Sequence, residues 1–182
     1  MTRITVVDYD PTWPTAFEAV RAHVWSVVAD VAITVEHVGS TSVPGLAAKP
    51  VIDITVVVPR VTDVPAAIDR LAALGYVHRG NLGVEGREAF QAPDSMPRRH
   101  LYLCPSDSLA LRNHLVVREH LRAHPEVARQ YGELKKRLAA QYPEEIDKYT
   151  EGKTDAIVRI LDAAGFRADE LETIERINRK TV

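Results

Sequence analysis

The 182-residue chain predicts an α+β fold: a small mixed β-sheet with helices packed on it and a helical C-terminal third. Three observations carry this. Short strand-like runs at 32–38 and 51–58 flank a Gly-Ser turn. The second run, Val51-Ile52-Asp53-Ile54-Thr55-Val56-Val57-Val58, has few polar interruptions and predicts a strand covered on both faces. From Asp107 onward, apolar residues follow helical spacing.

In chain order, Asp10-Pro11 fits a helix start, with the acid as cap and proline in the first turn. Phe17, Val20, Val24, Val27 and Val28 continue at helical spacing. After the two strands, Asp63 can cap a helix through Ile68, Leu71 and Leu74 that Gly75 stops. Segments around 76–79, 87–91 and 100–104 read as short strands, with a turn-rich loop at 80–86. Leu111, Leu115 and Leu121 suggest one helix. Val127, Tyr131, Leu134 and Leu138 give the next an amphipathic face. Pro143 opens a helix carrying Ile146, Tyr149, Ile157, Ile160 and Leu161 that Gly165 ends. Leu171, Ile174 and Ile177 mark a last short helix with a basic end. No repeat or linker divides the chain. One domain is expected over 1–182, with a core at about 1–105 and a helical part at about 106–182.

Composition narrows the class. The chain is 46% hydrophobic and 26% charged, ordinary for a globular protein. Its formal net charge of -2 creates no global field toward nucleic acid or membrane. No run approaches the ~18 apolar residues of a membrane span. The N-terminus lacks the apolar core of a signal peptide. One cysteine, Cys104, excludes an intrachain disulfide and reads as a small buried hydrophobe. A cytoplasmic location is expected.

Chemistry concentrates between Glu36 and Asp53. Gly39 permits close backbone approach or unusual dihedrals. Ser40, Thr41 and Ser42 offer hydroxyls and N–H groups at a helix start, either as an anion site or as a cap. The spacing fits neither a Walker loop nor a nucleophile elbow. Asp53 lies inside an apolar strand, where an ionised carboxylate is costly unless paired or metal-bound. It is a candidate ligand for a divalent cation, or a structural acid paired with Lys49, Arg98 or Arg99. Thr55 shares its strand face. His100 could act as base, metal ligand, phosphate contact or hydrogen-bonded strand histidine. Lys135 and Lys153 could reach phosphates from the helical part, and taken separately each reads as a solvated helix lysine. The run Arg112, His114, Arg118, His120, Arg122, His124 reads as a solvated helix face rather than a polyphosphate site.

The stretch Glu36-His37-Val38-Gly39-Ser40-Thr41-Ser42-Val43-Pro44-Gly45-Leu46-Ala47-Ala48-Lys49-Pro50, followed by Val51-Ile52-Asp53-Ile54, resembles the signature of the GrpB family. That family belongs to the nucleotidyltransferase superfamily with a DNA polymerase beta-like fold. The likeness extends to Asp8-Tyr9-Asp10-Pro11-Thr12-Trp13-Pro14, His100-Leu101-Tyr102, Tyr131-Gly132-Glu133-Leu134-Lys135 and Tyr149-Thr150-Glu151-Gly152-Lys153. The superfamily pattern is a Gly-Ser pair, two acids spaced D-x-D, and a third acid on a later strand. Gly39-Ser40 and Asp53 match, and Thr55 stands where the second acid belongs.

The resemblance implies an Mg-NTP substrate, with ATP as the expected nucleotide and magnesium or manganese as the cation. It implies transfer of a nucleotidyl group to a small acceptor. Gly39, Ser40 and Thr41 would hold phosphate, with Lys49, Arg98 and Lys153 offsetting its charge. Asp53 and Glu88 would hold the metal. His100 or Glu88 would complete the metal shell or activate the acceptor. Glu36 is a further carboxylate, although strand alternation points it away from Asp53. Two other activities fit the same residues: nucleotide binding without turnover, and an ATP-dependent ligase working through an adenylate.

Overall fold

The computed structural model describes residues 3–94 and 97–179. Met1-Thr2 and the basic residue Lys180 lie outside them. Helix α1 (Trp13–Val28) precedes strand β1 (Thr34–Val38), a 3-10 turn at Ser40–Ser42, β2 (Ile52–Val58) and a second 3-10 turn at Val61–Asp63. Then come α2 (Val64–Ala72), β3 (Val77–His78), β4 (Glu88–Gln91) and β5 (Arg99–Pro105). Five helices follow: α3 (Leu109–Ala123), α4 (Pro125–Gln141), α5 (Ile146–Glu151), α6 (Thr154–Ala163) and α7 (Ala168–Arg179). The sheet order is β1-β2-β5-β4-β3, with β2 and β5 parallel and the other pairs antiparallel.

Strand alternation divides the sheet cleanly. One face carries Ile52, Ile54, Val56 and Val58 of β2 with Leu101 and Leu103 of β5. It packs on Phe17, Val20, Val24 and Val28 of α1 and on Ala67 and Leu71 of α2. The opposite face carries Asp53, Thr55 and Val57. There Val57 and Cys104 pack against Ala110 and Leu111 of α3. Burial pushes the Cys104 thiol up to about 11, so it is a packed neutral group.

Several boundaries differ from the sequence expectation. Helix α1 starts at Trp13 because Asp10 folds back: its carboxylate accepts from Thr12 N at 2.8 Å and Thr12 Oγ1 at 2.7 Å. The helix expected from Pro143 is two helices broken at Gly152. A Cβ at Gly152 would lie 2.5 Å from Leu138 Cδ2, so the break lets the chain close on α4. The N-terminal segment joins the helical part: Ile4 N donates to Pro143 O at 2.7 Å, and Ile4 packs with Leu138 and Tyr149. Among the described residues no helix is long and apolar enough to cross a membrane.

Candidate nucleotide-binding site

The Gly-Ser turn is fixed from three directions. Gly39 has φ 75° and ψ -167°, a region essentially restricted to glycine. Its Cα sits against Asp53: a Cβ there would collide with Asp53 Oδ2 and lie 2.9 Å from Cγ. From the other sheet face His37 stacks on Phe17 at 4.5 Å and shares a 3.0 Å hydrogen bond with Thr41 Oγ1. Burial lowers the His37 pKa to about 4, so the ring is neutral at pH 7. The Ser42 hydroxyl closes the turn by donating to Gly39 O at 2.5 Å.

Asp53 is reached from β5. His100 is its register partner, and His100 Nδ1 donates to Asp53 Oδ1 at 2.9 Å. In the neutral ring held this way, the other nitrogen, Nε2, is the acceptor. Lys135 of α4 is 2% exposed and donates to Ser40 Oγ at 2.8 Å. Lys49 and Lys153 approach the Tyr149 ring at 5.5 and 4.6 Å. These three lysines and Asp53 line a cleft of about 320 Å³ with Ser40, Thr41 and His100.

The electrostatics of this cleft are unbalanced. Burial lowers the pKa of all three lysines, and Asp53 is the carboxylate opposing that shift in each case. Lys153 depresses Lys135, and Lys49 depresses both Lys135 and Lys153. Lys153 is pushed down to about 8. Three lysine amino groups with lowered pKa values thus share one carboxylate among the described residues.

The cleft brings Ser40, Thr41, Lys49, Asp53, His100 and Lys153 together, with Gly39 packed behind Asp53, and leaves out Glu88 and Arg98. Glu88 pairs with Leu103 in register, so its side chain takes the sheet face opposite Asp53. There it bonds His78 Nε2 at 2.6 Å. Arg98 is exposed and sits in the loop before β5; it reaches the cleft only as a charge lowering the Lys49 pKa. Arg99 belongs to the other face and donates to Tyr76 Oη at 2.7 Å.

Glu36 lies opposite Thr55 across β1 and β2, on the Asp53 face, contrary to the alternation argument made from sequence. The Arg118 guanidinium holds it at 2.8 Å.

Sequence reasoning found α3 and α4 as helices but not the contacts their side chains make with the turn. Arg118 is 13% exposed and ties Glu36 and the His37 carbonyl to the turn. Arg122 donates to Ser42 O at 2.8 Å. The basic run is therefore only partly a solvated face. Lys135 is not solvated at all. It follows Tyr131 by four residues and precedes Leu138 by three, so helical spacing had placed it on the apolar face.

These donors fit one hard cation and not two. Among the described residues no three His, Cys, Asp or Glu side chains form a metal-ligand group. Asp53 offers one carboxylate, sufficient for magnesium when phosphate oxygens and waters fill the remaining positions. Thr55 is 0% exposed and its hydroxyl has no partner. Thr55→Val is expected to leave stability unchanged or raise it, because it removes an unpaired buried polar group. Thr55→Asp is expected to destabilise by about 3 kcal/mol, through a buried carboxylate facing Glu36. Denaturant melts of the two variants check this. An Asp variant as stable as the parent would show that the position accepts the second acid after all.

The GrpB protein family profile matches residues 3–163. YqkA of Bacillus subtilis is 34% identical over 155 residues, covering 85% of this chain and 45% of YqkA. The match thus spans less than half of that relative's length. The crystal structure of conserved protein GrpB from Enterococcus faecalis aligns with TM-score 0.77 at 32% identity, covering 94% of this chain and 98% of the other. Beyond the family, the fold alone is shared with a chain of the GLD-2/RNP-8 complex, which aligns with TM-score 0.51 at 12% identity, over 85% of this chain and 59% of the other. With the Gly-Ser turn, Asp53 and the helical lysines all inside the matched residues, the chain belongs to the GrpB family.

Proposed function

We propose that the cleft binds a nucleoside triphosphate with one magnesium or manganese ion and transfers its nucleotidyl group to a small acceptor. The observation that carries this reading is the charge imbalance around Asp53. Lys49, Lys135 and Lys153 are desolvated and crowd one carboxylate. A polyphosphate supplies the missing negative charge, and cations in a desolvated cleft bind it strongly. Ser40 and the backbone around Gly39 orient the phosphates. A cation held by Asp53 would offset charge on the phosphate oxygens. His100, positioned through Nδ1 by Asp53, presents Nε2 as the proton acceptor. In the transfer, the acceptor's nucleophile bonds to the α-phosphorus, the bond to the β-phosphate oxygen breaks, and pyrophosphate leaves. The acceptor proton passes to His100 Nε2.

The test is a thermal-shift panel of the common NTPs, with and without magnesium or manganese. A ligand near 100 times its Kd is expected to raise Tm by roughly 5 °C or more. Asp53→Asn should abolish the metal-dependent part, and Ser40→Ala should reduce the shift less. Lys153 adds a pH dependence. Its folded pKa of about 8 lies below the ordinary 10.5, so the unfolded chain binds more protons in that window. Stability of the free protein therefore rises with pH through the window. Bound phosphate favours protonated Lys153, so the nucleotide-induced shift should shrink from pH 7 to pH 9. No shift with any NTP at millimolar concentration overturns the reading.

A second reading, nucleotide binding without turnover, is favoured by Thr55 at the second-acid position. Thermal shifts without pyrophosphate release across a broad acceptor panel would select it. Pyrophosphate release that depends on an amine would instead indicate adenylate-forming ligase chemistry.

A further inference from the structure

On the Asp53 face, the sheet continues past Tyr102 toward a second cavity of about 510 Å³. Its walls come from the loop before β4, the segment from the end of β5 into the start of α3, and the last turns of α7. A cleft of about 300 Å³ lined by Ser40, Asp53, Tyr102 and Arg118 shares Asn113, His114 and Asn178 with it, so the two spaces adjoin.

Arg87 dominates the second cavity chemically. Its guanidinium lies over the Tyr102 ring, 4.7 Å from the centroid. Its Nε is buried without a hydrogen-bond partner. Beside it, His114 approaches the same ring from α3 at 5.8 Å, and its Nδ1 is also buried without a partner. Buried polar atoms in folded proteins are nearly always satisfied, so two orphans on residues that line one cavity point to a ligand there. The remaining wall is largely apolar, with Val61, Val84, Ile174 and Ile177. Glu85 and Asp107 stand at exposed positions, and neither forms an ion pair with Arg87 among the described residues.

We infer that this cavity binds an amphipathic carboxylate, its anion on Arg87 and His114 and its apolar body against α7. The Arg87 fork matches a carboxylate's two oxygens. Burial and the Arg87 charge lower His114 to about 4, so it is neutral at pH 7 and the pair carries one positive charge. One charge suits a monoanion better than a phosphate dianion. A space of this size holds a small organic molecule. Its position beside Asp53 makes the carboxylate compound the acceptor, an assignment that rests on the nucleotide reading above.

The test uses hexanoate and phenylacetate, with hexanamide and phenylacetamide as neutral controls, followed by NMR of the His114 ring and Asn113 side-chain amide. The carboxylates are expected to shift both signals saturably, while the amides bind about tenfold more weakly. Arg87→Gln should weaken carboxylate binding by about tenfold. Ile177→Trp, which fills the apolar end and keeps Arg87, should block the carboxylates while leaving the Mg-NTP thermal shift intact. Carboxylates that leave His114 unperturbed, or bind equally well to Arg87→Gln, overturn the site. Carboxylate binding without any NTP response supports the site and removes only its acceptor role.

Discussion

Gly39→Ala is expected to lower stability by about 3 kcal/mol or more and to eliminate the Mg-NTP thermal shift. Two costs combine. At φ 75° and ψ -167° an L side chain is strained by itself. The new Cβ also overlaps Asp53, lying 2.9 and 3.0 Å from its Cγ and Cβ in addition to the collision with Oδ2. Asp53 cannot retreat without leaving His100, whose Nδ1 it holds at 2.9 Å. The substitution therefore couples a backbone defect to a displaced carboxylate. In a chain of 182 residues, Tm should fall by roughly 2–4 °C for each kcal/mol. Denaturant melts measure the first effect and nucleotide titrations of the folded fraction the second. A variant with parental stability and an intact nucleotide response would show that the turn is not shaped around Asp53.

Lys135→Met should act in the opposite direction on stability. Lys135 is 2% exposed as a residue, and its amino group shares Asp53 with two other lysines. Methionine keeps comparable bulk beneath Ser40 and removes a desolvated amino group. Replacing buried charge by an apolar side chain is often stabilising, and a gain of about 1–2 kcal/mol is expected here. The same change removes the donor bonded to Ser40 Oγ at 2.8 Å and one of the three lysines lining the cleft. Mg-NTP affinity should drop by at least about tenfold, the effect of losing one charge-assisted contact. A thermal melt alone checks the stability gain, and calorimetry with Mg-NTP checks the affinity loss. A destabilised variant with unchanged affinity would make Lys135 a structural residue. The expected pattern, more stable but weaker in binding, marks strain held for a ligand.

The sequence determined by itself what depends on near neighbours along the chain. Strand alternation and helical spacing gave the α+β class and almost every element, because period 2 and period 3.6 are written directly in apolar positions. The run from Glu36 to Asp53 marked the turn and its carboxylate, since an acid within Val-Ile-x-Ile has no packing reason to be there. Tertiary structure alone decided which side chains meet Asp53. Register placed Glu36 on its face and Glu88 on the other, because pairing partners share a face and a shift of one residue reverses it. Helix packing carried Lys135 to Ser40 across 95 residues of chain and Arg118 to Glu36 across 82. Contacts at such separations follow from how α3 and α4 dock on the sheet. No local propensity encodes that docking, so the charges that complete the site became legible only in the folded chain.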